Sequence, residues 1–139
     1  MKPEISPSAP PSPSHWASVL EAPQSPVKDL NSILAWVELD LDGEMRFEKS
    51  LLCLTPEGLF WSDGTRSEFW PIGSGTHLLH GDHAGVGHLK LESEASLLRL
   101  WHFTLAVNPQ ILRLQSSFRQ LIRDDQLSKE PEASEYDKQ

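Results

Sequence analysis

Trp36-Val-Glu-Leu-Asp-Leu-Asp-Gly-Glu-Met-Arg-Phe-Glu-Lys-Ser-Leu-Leu-Cys-Leu-Thr-Pro-Glu-Gly-Leu-Phe-Trp61 is a succession of apolar runs separated by turn residues. Apolar and acidic residues alternate over residues 35–41, as they do in a half-buried β-strand. The pair Asp42-Gly43 predicts a type I′ turn, after which Met45 and Phe47 resume the apolar face. A further strand and turn follow before Trp61. The stretch is therefore typical of an antiparallel meander.

Composition sets the outer limits of the fold and the function. The chain has 139 residues with 38% hydrophobic content, which supports one domain with an adequate core. Twelve basic against 20 acidic residues give a formal net charge of -8, which repels phosphate backbones and excludes nucleic acid as a natural partner. Apolar stretches stay well short of the roughly 18 residues that cross a bilayer. We expect a soluble, cytoplasmic chain in which the lone Cys53 is a buried strand residue.

Both ends of the chain differ in composition from the middle. Residues 1–28 hold seven of the 11 prolines and predict a disordered Pro/Ser-rich tail. Within that tail, Trp16 and Leu20 could form one amphipathic turn that docks on a partner or on the domain itself. Residues 124–139 are acidic and predict a second disordered tail or a linker. The folded domain is expected to span residues 29–123.

The middle of the chain carries six or seven short strands followed by one helix. Asp63-Gly64 marks a second hairpin, and residues 81–87 are expected to form a glycine-containing connection. Asn108 can cap a helix that runs from Pro109 to Arg123 with one apolar stripe. The fold class is therefore mainly β with one C-terminal α-helix. This order of elements predicts a pleckstrin-homology-like seven-stranded barrel, capped by the helix.

A group of imidazole and carboxylate side chains is the main candidate for chemistry. Such side chains are good zinc ligands, and this group consists of His77, His80, Asp82, His83 and His88. His80-Gly-Asp-His83 is similar to the end of the metallo-β-lactamase signature, but Leu78 stands where the first histidine of that signature would be. The alternative is a polar turn built by Asp82 and His83.

Other catalytic patterns are absent from the sequence. It contains neither a phosphate-binding loop nor a nucleophile elbow, and the carboxylates Glu38 and Asp40 fit a solvated strand face. We therefore predict no enzyme activity, no catalytic residue, no cofactor and no metal site. Trp36 falls on the outer face of its strand, where it would mark a partner surface or a contact for the tail; the alternative is that a neighbouring element simply covers it.

Several runs resemble one family over residues 33–122. The most specific are Asp82-His-Ala-Gly-Val-Gly87 and Trp101-His-Phe-Thr104, and Phe69-Trp-Pro-Ile72 adds to them. They are similar to the cytosolic pleckstrin-homology-like region found ahead of the membrane domain in certain bacterial ABC exporters. The resemblance implies a non-catalytic regulatory or interaction domain at the inner face of the membrane, whose parent protein would couple ATP hydrolysis to export.

The resemblance also implies where the domain makes its contacts. The candidate interaction residues are Trp36, Asp82, His83, Gly85 and Gly87. The partner would be another protein or the rest of an exporter, with no membrane insertion by this chain and dimerisation only through the parent. Phosphoinositide binding is disfavoured because the first strand pair is acidic.

Two alternatives stay open. One is a free-standing soluble module that adds a peptide to the edge of its barrel. The other is a small metal-dependent enzyme that uses the histidine and aspartate residues of the candidate zinc group.

Overall fold

The computed structural model describes the backbone of residues 13–137 and the side chains of residues 16–125. Within this range the chain forms two α-helices and seven β-strands. They are α1 (Pro13–Leu20), β1 (Ala35–Leu41), β2 (Phe47–Thr55), β3 (Gly58–Ser62), β4 (Ser67–Pro71), β5 (Thr76–His83), β6 (Val86–Ser93), β7 (Ser96–Thr104) and α2 (Asn108–Asp137), with short 3₁₀ turns at Leu30–Ser32 and Leu105–Val107.

The strands form two antiparallel sheets. The first sheet has the order β1-β2-β3-β4, and the second has the order β5-β6-β7. This confirms a mainly β fold with one C-terminal helix. The predicted closed barrel is wrong, because no backbone ladder joins the two sheets within the described residues. Where β1 approaches β7, the carboxylate of Asp40 accepts a hydrogen bond from the backbone amide of Thr104 at 2.9 Å. A side-chain hydrogen bond therefore links the two strands where a closed barrel would have backbone hydrogen bonds.

The main core lies between the inner faces of the two sheets and under helix α2. Alternate residues of each strand point inward, as the period of a strand requires. The fully buried members include Val37, Leu39, Leu52, Leu54 and Leu59 from the first sheet, and Leu89, Leu91 and Phe103 from the second. Helix α2 adds Ile111, Leu114 and Phe118, with Leu121 partly buried against them. The predicted packing of the helix on the sheets is confirmed.

Both predicted limits of helix α2 differ from the structure. Asn108 has helical dihedral angles of -53° and -43°, so it is a helical residue, and its buried side-chain oxygen has no partner among the described residues. The predicted cap at Asn108 is therefore wrong. At the other end the helix continues through the acidic segment to Asp137 instead of ending at Arg123.

The β1–β2 turn is longer than Asp42-Gly43 predicts. The amide of Met45 donates to the carbonyl of Asp42, and the amide of Asp42 donates to the carbonyl of Arg46. The residue with a positive φ is Met45, at 65°. This geometry directs the side chain of Phe47 into solvent, where it is 83% exposed, and leaves Met45 48% exposed. The predicted return of these two residues to the apolar face is wrong.

The β5–β6 hairpin is tighter than the predicted connection over residues 81–87. Strand pairing extends to His83 and Val86, so only Ala84 and Gly85 form the turn. Their φ angles of 54° and 84° are those of a two-residue type I′ turn. Gly81, Asp82 and Gly87 are therefore strand residues.

Residues 13–33 lie on the outer face of the first sheet. Trp16 and Leu20 of helix α1 are 6% and 3% exposed, and they pack with Leu51, Cys53 and Phe60. The predicted disordered tail is thus replaced from residue 13 onward by a helix and a packed connection. A few apolar side chains are sufficient here because the sheet offers them a hydrophobic face. The first 12 residues of that predicted tail lie outside the described residues.

No helix in the described part of the chain combines the length and the apolar character needed to cross a membrane.

Candidate functional site

The five candidate interaction residues fall at two separate places. Trp36 lies on the outer face of β1, half-buried, against the cluster that contains helix α1. The side chain of Trp36 therefore points outward and contacts the N-terminal segment. Asp82, His83, Gly85 and Gly87 lie together in the β5–β6 hairpin of the second sheet.

The tip of the β5–β6 hairpin presents a carboxylate and an imidazole to solvent. Asp82 and His83 are both exposed, and the turn residue Gly85 between the strands is exposed as well. Gly87 is buried, and a Cβ atom at this position would overlap the ring of Phe103. The backbone of Gly87 therefore packs directly against the ring of Phe103 in the core, while the side chains of Asp82 and His83 face solvent. The predicted polar turn made by Asp82 and His83 is wrong, since both are strand residues.

The candidate zinc group is spread over two strands. His77 and His83 are exposed near opposite ends of β5, and His88 faces Gly81 across the ladder. Within the described residues, no group of three or more His, Cys, Asp or Glu side chains is placed to hold a metal ion. The structure therefore offers no geometry for the metal-dependent alternative.

A cleft of about 240 Å³ lies where the β1–β2 hairpin, the β3–β4 hairpin and strand β7 come together. Its lining combines charged, aromatic and hydroxyl side chains. They include Asp42, Arg46, Ser50, Trp61, Asp63, Arg66, Arg99, Trp101 and His102. No local pattern in the sequence indicates this cleft, because its residues come from four strands and two turns that are far apart along the chain.

Arg99 is held between two tryptophans at the cleft. Its guanidinium carbon lies 4.4 Å from the ring centre of Trp61 and 5.7 Å from that of Trp101. Its Nε donates to the carboxylate of Glu68 at 2.9 Å, which ties β7 to β4. A cation over aromatic faces and beside a carboxylate is stabilised by both. The Arg99-x-Trp101 pattern in β7 was the only local sign of this arrangement.

The other two arginines of the cleft are paired with turn carboxylates. Arg46 contacts Asp42 at 3.0 Å, and Arg66 lies 3.6 Å from Asp63. The hydrogen bond from the backbone amide of Arg46 is the largest cause that lowers the pKa of Asp42, and the amide of Glu44 adds to it. Since each arginine already has an acidic partner, the cleft offers no surplus of positive charge.

Three buried nitrogens at the cleft have no hydrogen-bond partner among the described residues. They are the indole Nε1 atoms of Trp61 and Trp101 and the Nδ1 of His102. Burial lowers the pKa of His102, and the neighbouring charge of His88 lowers it further. The two indole N–H groups are hydrogen-bond donors to oxygen-bearing groups, whereas His102 lies on the opposite face of β7 from Trp101.

Among the residues that the structure describes, no hydrophobic cluster covers the outer face of the second sheet. Three cross-strand rows build it: His77 with Glu92 and Leu97, Leu79 with Lys90 and Leu100, and Gly81 with His88 and His102. We call this surface the open face. Leu79 and Leu97 are 43% and 55% exposed. By contrast, the outer face of the first sheet is covered by residues 13–33.

Comparison of the chain with models of known protein families, with curated proteins and with solved structures found no match.

Proposed function

We propose that residues 29–123 form a non-catalytic interaction domain of the pleckstrin-homology-like type, the cytosolic regulatory head of a bacterial ABC exporter. Two antiparallel sheets followed by a C-terminal helix support the fold assignment. The resemblance of Asp82–Gly87 and Trp101–Thr104 supports the family. The domain would contact the exporter's own cytosolic domains, or another protein, on the cytoplasmic side of the membrane.

The main support for this proposal is the exposed apolar character of the open face. Its exposed leucines, Leu79 and Leu97, lie on a rigid antiparallel sheet whose tip presents Asp82 and His83. Exposed apolar side chains rimmed by polar ones mark surfaces that bind proteins. Because the chain covers its other outer sheet face with its own N-terminal segment, we assign the open face to a partner.

The charges of the cleft favour a protein partner over a phosphoinositide. Inositol phosphates require several unpaired basic side chains that converge on one point. Here the three arginines of the cleft are bound to Asp42, Asp63 and Glu68.

The first experiment concerns the parent protein. An antibody raised against residues 29–123 is used to probe membrane and cytosolic fractions of the source cells. A membrane-bound band several times larger than 15.6 kDa is expected. A soluble band at 15.6 kDa would contradict the exporter assignment.

The second experiment tests the open face in the parent protein. The double substitution Leu79→Glu and Leu97→Glu places two charges on the surface and should reduce both partner binding and the regulation of ATPase activity. Leu112→Glu is the matched control, because Leu112 is 46% exposed on helix α2. Equal behaviour of the control and the double variant would show that the open face makes no contact.

One further observation favours the free-standing module as a second candidate. Strand β4 is an edge strand of the first sheet, so one of its backbone edges lacks a neighbouring strand among the described residues. An extended peptide can add to such an edge by main-chain hydrogen bonds. A soluble 15.6 kDa band that co-purifies with an extended peptide would support this candidate.

A further inference from the structure

The N-terminal segment and the outer face of the first sheet form a hydrophobic cluster separate from the main core. The sheet contributes Leu51, Cys53 and Phe60, all nearly inaccessible to solvent, and helix α1 contributes Trp16 and Leu20. The main core begins at Ala35 and includes no buried residue from the segment. The main core between the two sheets and helix α2 therefore contains no buried residue of the segment 13–33.

The contacts of helix α1 include two buried apolar anchors, Trp16 and Leu20, the partly buried Val19, and a hydrogen bond from Trp16. The helix has eight residues, which is too short for a stable isolated helix in water. Trp16 and Leu20 are four residues apart and so lie on one side of the helix, whereas Ser18 is exposed. The indole Nε1 of Trp16 donates to the carboxylate of Glu38 on β1 at 3.0 Å. This is how an amphipathic helix binds a hydrophobic groove on another protein.

We propose that the outer face of the first sheet is a docking groove for a short amphipathic helix that carries Trp and, four residues later, Leu. Residues 13–20 are the tethered occupant of this groove, and a partner helix of the same chemistry replaces them. The proposal concerns a surface on the opposite side of the molecule's core from the open face, and it does not depend on the exporter assignment.

The covalent connection between residues 13–20 and the domain determines how tightly a partner helix must bind to displace them. A connection of this length holds a ligand at an effective concentration of about 1 mM, so a partner helix displaces the segment only if it binds more tightly or reaches a high local concentration. Glu38 provides specificity, because its partly buried carboxylate accepts a hydrogen bond from an indole N–H that phenylalanine or leucine cannot supply.

The lone cysteine reports whether the groove is covered. Cys53 lies at the bottom of the groove with no exposed surface, and burial raises the pKa of its thiol. Both effects suppress its reaction with thiol reagents. A variant of the full chain with Trp16→Ala and Leu20→Ala removes both anchors. Its Cys53 should react with a disulfide reagent about tenfold faster or more, whereas Ser18→Ala, on the exposed side of the same helix, should leave the rate unchanged.

Binding in trans is measured with a labelled synthetic peptide of residues 12–28. At micromolar concentration the peptide should bind the double variant and return the Cys53 rate to its original value, and it should not bind the wild-type chain. Replacing the tryptophan of the peptide by phenylalanine should weaken binding about tenfold, the usual size of a lost hydrogen bond to a charged group. Adding Glu38→Ala to the double variant should cause the same loss for the original peptide and no further loss for the phenylalanine peptide.

Three results would overturn the proposal. The first is a double variant that loses its near-ultraviolet circular dichroism, since the segment would then belong to a single folding core. The second is a folded double variant that neither exposes Cys53 nor binds the peptide. The third is a wild-type dimer that forms by exchange of the N-terminal segments, which would make a second copy of the chain the occupant.

Discussion

Gly87 shows how a missing side chain positions the β5–β6 hairpin. The residue is buried in β6, and the ring of Phe103 on β7 occupies the space that a Cβ atom would need. Phe103 is itself fully buried in the main core. The hairpin that carries Asp82 and His83 is therefore fixed to the core by contact between a ring and a backbone.

The substitution Gly87→Ala should lower the free energy of unfolding by about 1–3 kcal/mol, because overpacking displaces a fully buried ring. Gly43→Ala is the control, since no atom lies within 4 Å of a Cβ at that position. It should change the stability by less than about 0.5 kcal/mol. Urea unfolding of both variants measures the difference, and similar midpoints would show that Phe103 moves aside at no cost.

For single residues, the sequence indicated some of the positions that lie at the core but not the contacts between residues far apart in the chain. The resemblance singled out Gly87 and the run that begins at Trp101, and the structure places both residues at the main core. The pairing of Arg99 with Trp61 and Glu68 was not predictable, because it depends on how strands far apart in the chain are brought together. Local patterns indicate which face a residue occupies but not its partner across the core.

Helix α2 is anchored to the second sheet by one polar side chain. Gln115 is 5% exposed, and its Nε2 donates to the backbone carbonyl of Leu78 at 2.7 Å. Leu78 belongs to β5, an edge strand of its sheet. The helix therefore supplies a hydrogen-bond donor to a backbone carbonyl that has no neighbouring strand on that side among the described residues. The hydrogen bond sets the position of the helix along the sheet, which hydrophobic packing alone leaves less defined.

The substitution Gln115→Leu should lower the free energy of unfolding by about 1–3 kcal/mol, because it leaves the buried carbonyl of Leu78 without its donor. The exposed residue Gln110 on the same helix is the place for the control, Gln110→Leu. Thermal unfolding measures the effect, and hydrogen exchange should rise first in the amides of β5. A variant as stable as the control would mean that packing alone holds the helix.

Elements with a strong hydrophobic period were predictable, and turns and weakly apolar segments were not. The strands of the meander and the apolar side of α2 follow periods that depend only on side-chain alternation. The turn after β1 has more residues than the Asp42-Gly43 pair indicates, because Asp42 accepts the amides of both Glu44 and Arg46. Helix α1 was expected only as an alternative to a disordered tail, as an amphipathic turn with Trp16 and Leu20, because its anchors fold against a sheet that the local sequence does not describe.

At the scale of the whole molecule, the two sheets share one core, and no backbone ladder joins them in the described part of the chain. Besides apolar packing, the polar contacts between the sheets in the described residues include Asp40 of β1 with the amide and hydroxyl of Thr104 on β7, and Glu68 of β4 with Arg99 on β7. Both contacts involve β7. A strand sequence specifies its alternation but not which strand edges close on each other, which is why a closed barrel was expected and an open seam is found.

The hydrogen bonds of Asp40 should therefore stabilise the contact between β1 and β7 against local opening. Asp40→Ala leaves the amide of Thr104 without an acceptor and should lower the free energy of unfolding by about 1–3 kcal/mol. Asp40→Asn keeps one oxygen for that amide and should cause a smaller loss, and Glu48→Ala removes an exposed carboxylate from the neighbouring strand as a control. Hydrogen exchange should accelerate in β1 and β7 of the alanine variant before it accelerates in β2 or β6. Uniform acceleration across both sheets would instead show that the seam opens only when the entire core unfolds.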